Sequence, residues 1–249
     1  MDFDEVAAAV NGVPVMSVAQ GRAIYDHVRE TRPEHVLELG TAHGTSACYM
    51  AAALDENGSG RITTLDRTVA DYQPGPEEVL DRAGLRDYVT LVRRDDSSYD
   101  WFLKEQVAER SDESGNCEPL YDLCYLDGAH DWTIDGLAVV LVERLLKPGG
   151  WLVLDDMTWI GEAGKSCADI LGYSDEERAE PHMQAVFDLL VKGNPNFTEL
   201  RIQGDLDWGW ARKAPGDPRR MTIDTSRTLR GAAVLRLREI VRRRQRSAS

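Results

Sequence analysis

The chain has 249 residues, a formal net charge of −14, 42% hydrophobic and 29% charged residues. That composition is globular, and the longest strongly apolar run, 137–142, is far short of the ~18–20 residues that span a bilayer. The net acidity argues against a nucleic-acid binder, because neutralising phosphates takes a basic surface. The average hides a split: residues 217–249 hold ten arginines against three acids, a net of +7, which leaves 1–216 at −21. The N-terminal MDFDEVAAAV carries acids where a secretory signal would carry lysine or arginine, so a cytoplasmic, reducing setting is expected. Cys48, Cys117, Cys124 and Cys167 form no CxxC pair or zinc spacing and read as free thiols.

In chain order, 17–30 shows helical spacing of Val18, Ile24, Tyr25 and Val28, broken at Thr31, Arg32 and Pro33. HVLEL at 35–39 reads as a buried strand ending at Gly40, a small-residue helix covers 46–54, and the turn at 57–60 leads to a strand at 61–65 closed by Asp66. Pro76 suits the first position of a helix, after which 88–92 reads as the third strand. A helix over 99–110, a strand over 121–126 ending at Asp127, and a helix over 135–146 follow. Lys147, Pro148, Gly149 and Gly150 should stop that helix before a fifth strand, 151–154, ending at Asp155 and Asp156. Strands alternating with helices imply right-handed crossovers. The fold class is α/β, a doubly wound, mostly parallel sheet.

Beyond Thr158 lies a Gly- and acid-rich stretch, a lid candidate beside the sheet edge. A helix at 181–191 and two strands, 197–202 and 207–212, then form a C-terminal antiparallel hairpin. An Arg-rich helical tail with Leu229, Val234, Leu237 and Ile240 on one stripe needs a partner surface. The division expected is a catalytic domain over 1–213 and a basic tail over 214–249.

Ligands of open parallel sheets bind beyond the carboxyl ends of the strands. The run from Glu38 to Ser46 departs from the G-x-G-x-x-G dinucleotide fingerprint. Its small residues let a ligand approach the backbone, and the following helix start offers N–H donors to a carboxylate. Asp66 suits the paired hydroxyls of a ribose. Asp127, Asp155 and Asp156 at adjacent strand ends repel one another, which a divalent cation such as Mg²⁺ would compensate; solvation or capping of a turn is the alternative.

These residues together resemble a family. VLELGTAHGTSA, Asp66, the RDDS after the third strand and YLDGAHDW followed by LLKPGGWLVLDD are similar to the class I S-adenosylmethionine-dependent methyltransferases, whose fold is Rossmann-like. More narrowly they resemble the small O-methyltransferases of the caffeoyl-CoA/catechol type and a related group acting on antibiotic precursors. The resemblance implies that Gly40, Thr41, Ala42 and Gly44, within the Glu38 to Ser46 run, contact the methionyl part of the cofactor. It places Asp66 at the ribose and Asp96 and Ser97 at the adenine, with Asp127 bordering both cofactor and catalytic site. It also makes Asp127, Asp155 and Asp156 the metal ligands. Ala42 replaces the commoner glycine, a change of one methyl group.

His130 stands where the catechol-type relatives align a lysine near the reacting hydroxyl, and an imidazole titrating near neutrality is a general-base candidate. His43 is expected to orient its loop or line the pocket rather than act as a base. Trp132 and Trp159 are candidate acceptor walls, Trp151 a core residue, and Trp208 and Trp210 should share one face of the last strand, offering an oligomer surface. The function expected is O-methylation of a small, natural-product-like acceptor by a homo-oligomer, with neither nucleic acid nor membrane as partner. N- or C-methylation without a metal, or a non-catalytic scaffold, are the competing readings.

Overall fold

Apolar side chains on the central strands alternate between two faces, and each face needs a cover. On β1 (His35–Leu39), Val36 faces one core cluster, and Leu37 and Leu39 face the other. The computed structural model describes residues 1–67, 72–94, 99–160 and 172–216. Before β1 come α1 (Phe3–Ala9) and α2 (Val18–Thr31); after it come α3 (Thr45–Asn57), β2 (Arg61–Arg67), α4 (Pro76–Ala83) and β3 (Val89–Arg94). The chain continues with α5 (Tyr99–Arg110), β4 (Tyr121–Leu126), α6 (Trp132–Leu145) and β5 (Leu146–Leu154). The last elements are α7 (Asp175–Arg178), α8 (His182–Val186), β6 (Phe197–Gln203) and β7 (Trp208–Lys213).

The seven strands run in the order β3-β2-β1-β4-β5-β7-β6. Neighbours from β3 to β5 are parallel, while β7 is antiparallel to both β5 and β6. Strand order reverses between β1 and β4, and the crevice such a reversal opens is where ligands bind in this class of sheet. Residues of α1 to α4 belong to the core cluster of one face, and residues of α5, α6 and α8 to that of the other. Ser17 and Gln20 form a capping box at the start of α2, and Arg32 ends the helix in the left-handed region just before Pro33. No helix among the described residues is long and apolar enough to cross a membrane.

Several expectations need correction. The 147–150 turn lies within β5: Tyr121 pairs with Leu146 and Leu123 with Trp151, so the glycines form an irregularity inside the strand. A Cβ on Gly150 would stand 3.0 Å from the Asp122 and Lys147 carbonyl oxygens. Trp208 and Trp210 do share a face but are 0% and 1% exposed, packed edge-on to each other and to Tyr125, Trp151 and His27. They are core and offer no surface to a second subunit. The 181–191 helix changes at Phe187 into a π turn reaching Val191. Cys167, the middle of the lid candidate and the Arg-rich tail lie outside the described residues.

Candidate active site

The ends of the central strands are tied at one level. Gly40 N–H donates to Leu65 O (3.0 Å), Asp127 N–H to Leu39 O (2.9 Å) and Asp155 N–H to Leu126 O (3.0 Å). Gly40 has φ +102°, and a Cβ there would lie 1.8 Å from the Asp127 carbonyl oxygen, so only glycine lets β4 pass. Gly44, at φ +79°, caps α3. Ala42 between them is also left-handed at φ +45°, so its methyl sits on a conformation that glycine prefers.

Asp66 folds back onto this loop: its Oδ2 accepts the N–H groups of Thr41 (3.2 Å) and Ala42 (2.7 Å). His43 Nδ1 donates to Pro74 O at 2.8 Å, and its ring leans on Tyr72, which anchors the loop to the following segment. Beneath it, Ser46 Oγ donates to Glu38, whose other carboxylate oxygen is buried without a hydrogen bond. Burial pushes the Glu38 carboxyl up to about 8, against the Ser46 hydrogen bond.

Across the rim the side chains crowd. His130 Nε2 lies 3.1 Å from Asp127 Oδ1 and 3.4 Å from Asp156 Oδ2, and its ring tilts against Trp159 at 5.2 Å. Burial works against charge on the imidazole, yet the hydrogen bond to Asp127 and the fields of Asp127 and Asp156 outweigh it and raise its pKa to about 9. One atom each of Asp127, His130 and Asp156 falls within a 4.8 Å group able to hold a metal ion. Asp155 is not one of the three: it is 3% exposed, accepts the Tyr125 hydroxyl at Oδ2 and accepts the Asp156 N–H (2.7 Å) at Oδ1. Burial, then the neighbouring Asp127 charge, pushes its carboxyl up to about 8. The carboxylate oxygens of Asp127 and Asp156 are the donor type a hard divalent cation takes, and the imidazole nitrogen widens the set toward transition metals.

Both halves of the rim border one cavity of about 610 Å³, lined by Gly40, Ala42 and Asp66 on one side and Asp127, His130, Asp155 and Asp156 on the other. Asp96 and Ser97 lie outside the described residues. Trp159 meets His130, whereas Trp132, 38% exposed, is not among the cavity's lining residues.

The sequence model of the family described as "Methyltransferase domain" matches residues 37–157. A catechol O-methyltransferase of Niastella koreensis is 28% identical over 204 residues, 77% of this chain and 79% of the relative. A Mycobacterium sp. (strain JLS) protein named as an O-methyltransferase is 27% identical over 158 residues, 64% of each chain. The chain thus spans somewhat under two thirds of that relative and most of the former. Residues 37–157 thus carry a methyltransferase domain, in a chain similar to O-methyltransferases. Solved structures share its fold: the O-methyltransferase of Bacillus cereus in complex with SAH has a TM-score of 0.58 at 20% identity, covering 85% of this chain and 90% of that one. TomG of Streptomyces achromogenes, in complex with SAM, has a TM-score of 0.56 at 17% identity, covering 86% and 89%.

In this methyltransferase the cavity also touches residues that sequence reasoning passed over. Val15, between α1 and α2, lines it at φ +75°, a conformation rare for a β-branched residue. Tyr99, the first residue of α5, lines it too and donates its hydroxyl to Asp135 on α6. Nothing in the local pattern marked Val15 or Tyr99. Asp135 had a signal: a carboxylate four residues after the capping Asp131, in the first turn of a helix whose middle is apolar, and both are buried.

Proposed function

We propose that the enzyme moves the methyl group of S-adenosylmethionine onto a hydroxyl oxygen of a small-molecule acceptor in the cytoplasm, with a divalent cation, Mg²⁺ foremost, on Asp127 and Asp156. One observation carries this reading: the Asp127, His130 and Asp156 group borders the same cavity as the glycine loop. A relative named for catechol O-methylation supports an oxygen acceptor. When bound, such a cation lowers the pKa of the acceptor hydroxyl and fixes its direction.

The chain's own residues do the rest. The backbone from Gly40 to Gly44 borders the methionyl group, with Glu38 and Ser46 beneath it; Asp66 turns from the loop N–H groups toward the ribose, and Asp96 and Ser97 meet the adenine. In its neutral form, which the carboxylates of Asp127 and Asp156 make the minor one until a cation offsets their charge, His130 takes the hydroxyl proton at Nε2, and the same carboxylates stabilise the imidazolium that forms. The oxygen–carbon bond forms as the carbon–sulfur bond breaks, its electron pair leaving on sulfur. Because the sulfonium is already activated, alignment and electrostatics supply most of the acceleration.

The test uses tritiated-methyl S-adenosylmethionine with catechol as the probe acceptor. Turnover is expected with Mg²⁺, to fall by at least about 100-fold in EDTA and to return with excess Mg²⁺. Asp156→Ala should lose activity similarly while S-adenosylhomocysteine affinity stays within about 3-fold by calorimetry. Undiminished turnover in EDTA removes the cation, and methylation of an amine probe in preference to catechol reassigns the acceptor atom.

A further inference from the structure

His130 occupies the left-handed region at φ +51°, a conformation that a non-glycine residue keeps only when its surroundings impose it. The backbone around it shows what does so. Ala129 N–H donates to the Tyr99 hydroxyl (3.1 Å), and Asp131 N–H donates to Asp135 Oδ2 (2.7 Å). The Tyr99 hydroxyl in turn donates to Asp135 Oδ1. One phenol–carboxylate pair thus receives both N–H groups flanking His130. The loop lies flat on the phenol: a Cβ on Gly128 would stand 2.5 Å from the Tyr99 ring. Asp131, pinned by this pair, uses its own Oδ1 to cap α6 through Thr133 N–H (2.8 Å) and Ile134 N–H (3.0 Å). Tyr99 is 7% exposed and Asp135 0%, so neither arm is loosened by competing water.

We infer that Tyr99 and Asp135 are positioning residues for methyl transfer: by gripping residues 129 and 131 they hold the His130 imidazole against Asp127 and Asp156. The inference rests on the reading that His130 serves the transfer. It accounts for two buried polar side chains, from two different helices, that the strand-end chemistry does not otherwise use. A phenol–carboxylate pair leaves both donors and acceptors matched, whereas loss of the hydroxyl leaves Ala129 N–H and one Asp135 oxygen short of a partner.

A double-mutant cycle tests it: wild type, Tyr99→Phe, His130→Ala and the double variant, assayed for kcat and KM with catechol and Mg²⁺, with melting temperature recorded for each. Tyr99→Phe should lower kcat about 10-fold and His130→Ala about 100-fold, while Tyr99→Phe in the His130→Ala background should change kcat by less than about 2-fold. The same factor in both backgrounds would mean that Tyr99 acts independently of His130 and would overturn the inference. An unchanged kcat for His130→Ala overturns the reading of His130 itself, a separate failure visible in one arm of the cycle. Asp135→Asn is the second variant should Tyr99→Phe fold poorly. A readout free of any acceptor is the His130 Nε2–H proton resonance, expected as a discrete signal in wild type and broadened by exchange in Tyr99→Phe. A signal equally sharp in both would count against positioning.

Discussion

Around the ends of β1 and β2 the cavity rim is held by backbone: loop N–H groups reach fixed acceptors on Asp66, and Gly40 and Gly44 take left-handed turns at no steric cost. Around the ends of β4 and β5 it is held by side chains: His130 between two carboxylates, Asp155 turned inward under Tyr125, and both His130 and Asp156 at positive φ. A rim made from backbone accepts few residue types and little adjustment. One made from crowded side chains stores electrostatic repulsion and strain, which a bound cation or a moving proton can exploit.

The place where the two halves touch should be the most sensitive. Gly40→Ala would drive a methyl into the Asp127 carbonyl at 1.8 Å, and the carbonyl has no flexible end to yield. Either β1 and β4 separate at their ends or the loop refolds. The expected cost is at least about 3 kcal/mol, with cofactor binding lost, read by denaturant melts and calorimetry with S-adenosylhomocysteine. A Gly40→Ala protein that melts like wild type and still binds would break the claim that the halves are rigidly joined.

The same contrast explains what could be read from the sequence. Gly40, Gly44 and Asp66 were legible because a backbone turn at a strand end demands those residue types wherever it occurs. The alternation of strands and helices through β5 was legible because burial on both faces imposes it. The partners of the acidic half were not. Which of Asp127, Asp155 and Asp156 face one another depends on the positive φ of Asp156 and on Tyr125 reaching up from within β4, and neither has a local signature. Trp208 and Trp210 were misplaced for a related reason: alternation puts them on one face but does not say whether that face meets His27 of α2 and Tyr125 of β4 or a second subunit.

Glu38 probes how far the crowding spreads into the backbone-held half. Its carboxyl titrates ordinarily at 4.5 and near 8 in the folded chain, chiefly through burial, with Asp127 and Asp66 adding to the effect. Between those values the folded chain binds the extra proton, so this group makes stability fall as pH rises, by at most about 1.4 kcal/mol per pH unit. Gln keeps an acceptor for the Ser46 hydroxyl and does not titrate. Glu38→Gln should therefore match wild type near pH 4.5, gain on it steadily through neutrality and level off above pH 8, as followed by denaturant melts across that range. A stability difference independent of pH would mean that the carboxyl is ionised in the folded chain and that the glycine-loop side carries its own compensating charge.

The smallest expected effect concerns Ala42, the one non-glycine residue in the left-handed region of that half's loop. Placing an L side chain there costs about 1–2 kcal/mol, and glycine removes the cost. Glycine also enlarges the unfolded ensemble, which takes back about 0.4–1 kcal/mol. The balance for Ala42→Gly is a gain of about 0.5 kcal/mol, a rise of roughly 1–2 °C in melting temperature. The Ala42 N–H bond to Asp66 belongs to the backbone and survives the change. If the melting temperature falls instead, the Ala42 methyl contributes packing on the cavity wall, and the backbone alone does not hold this side of the rim.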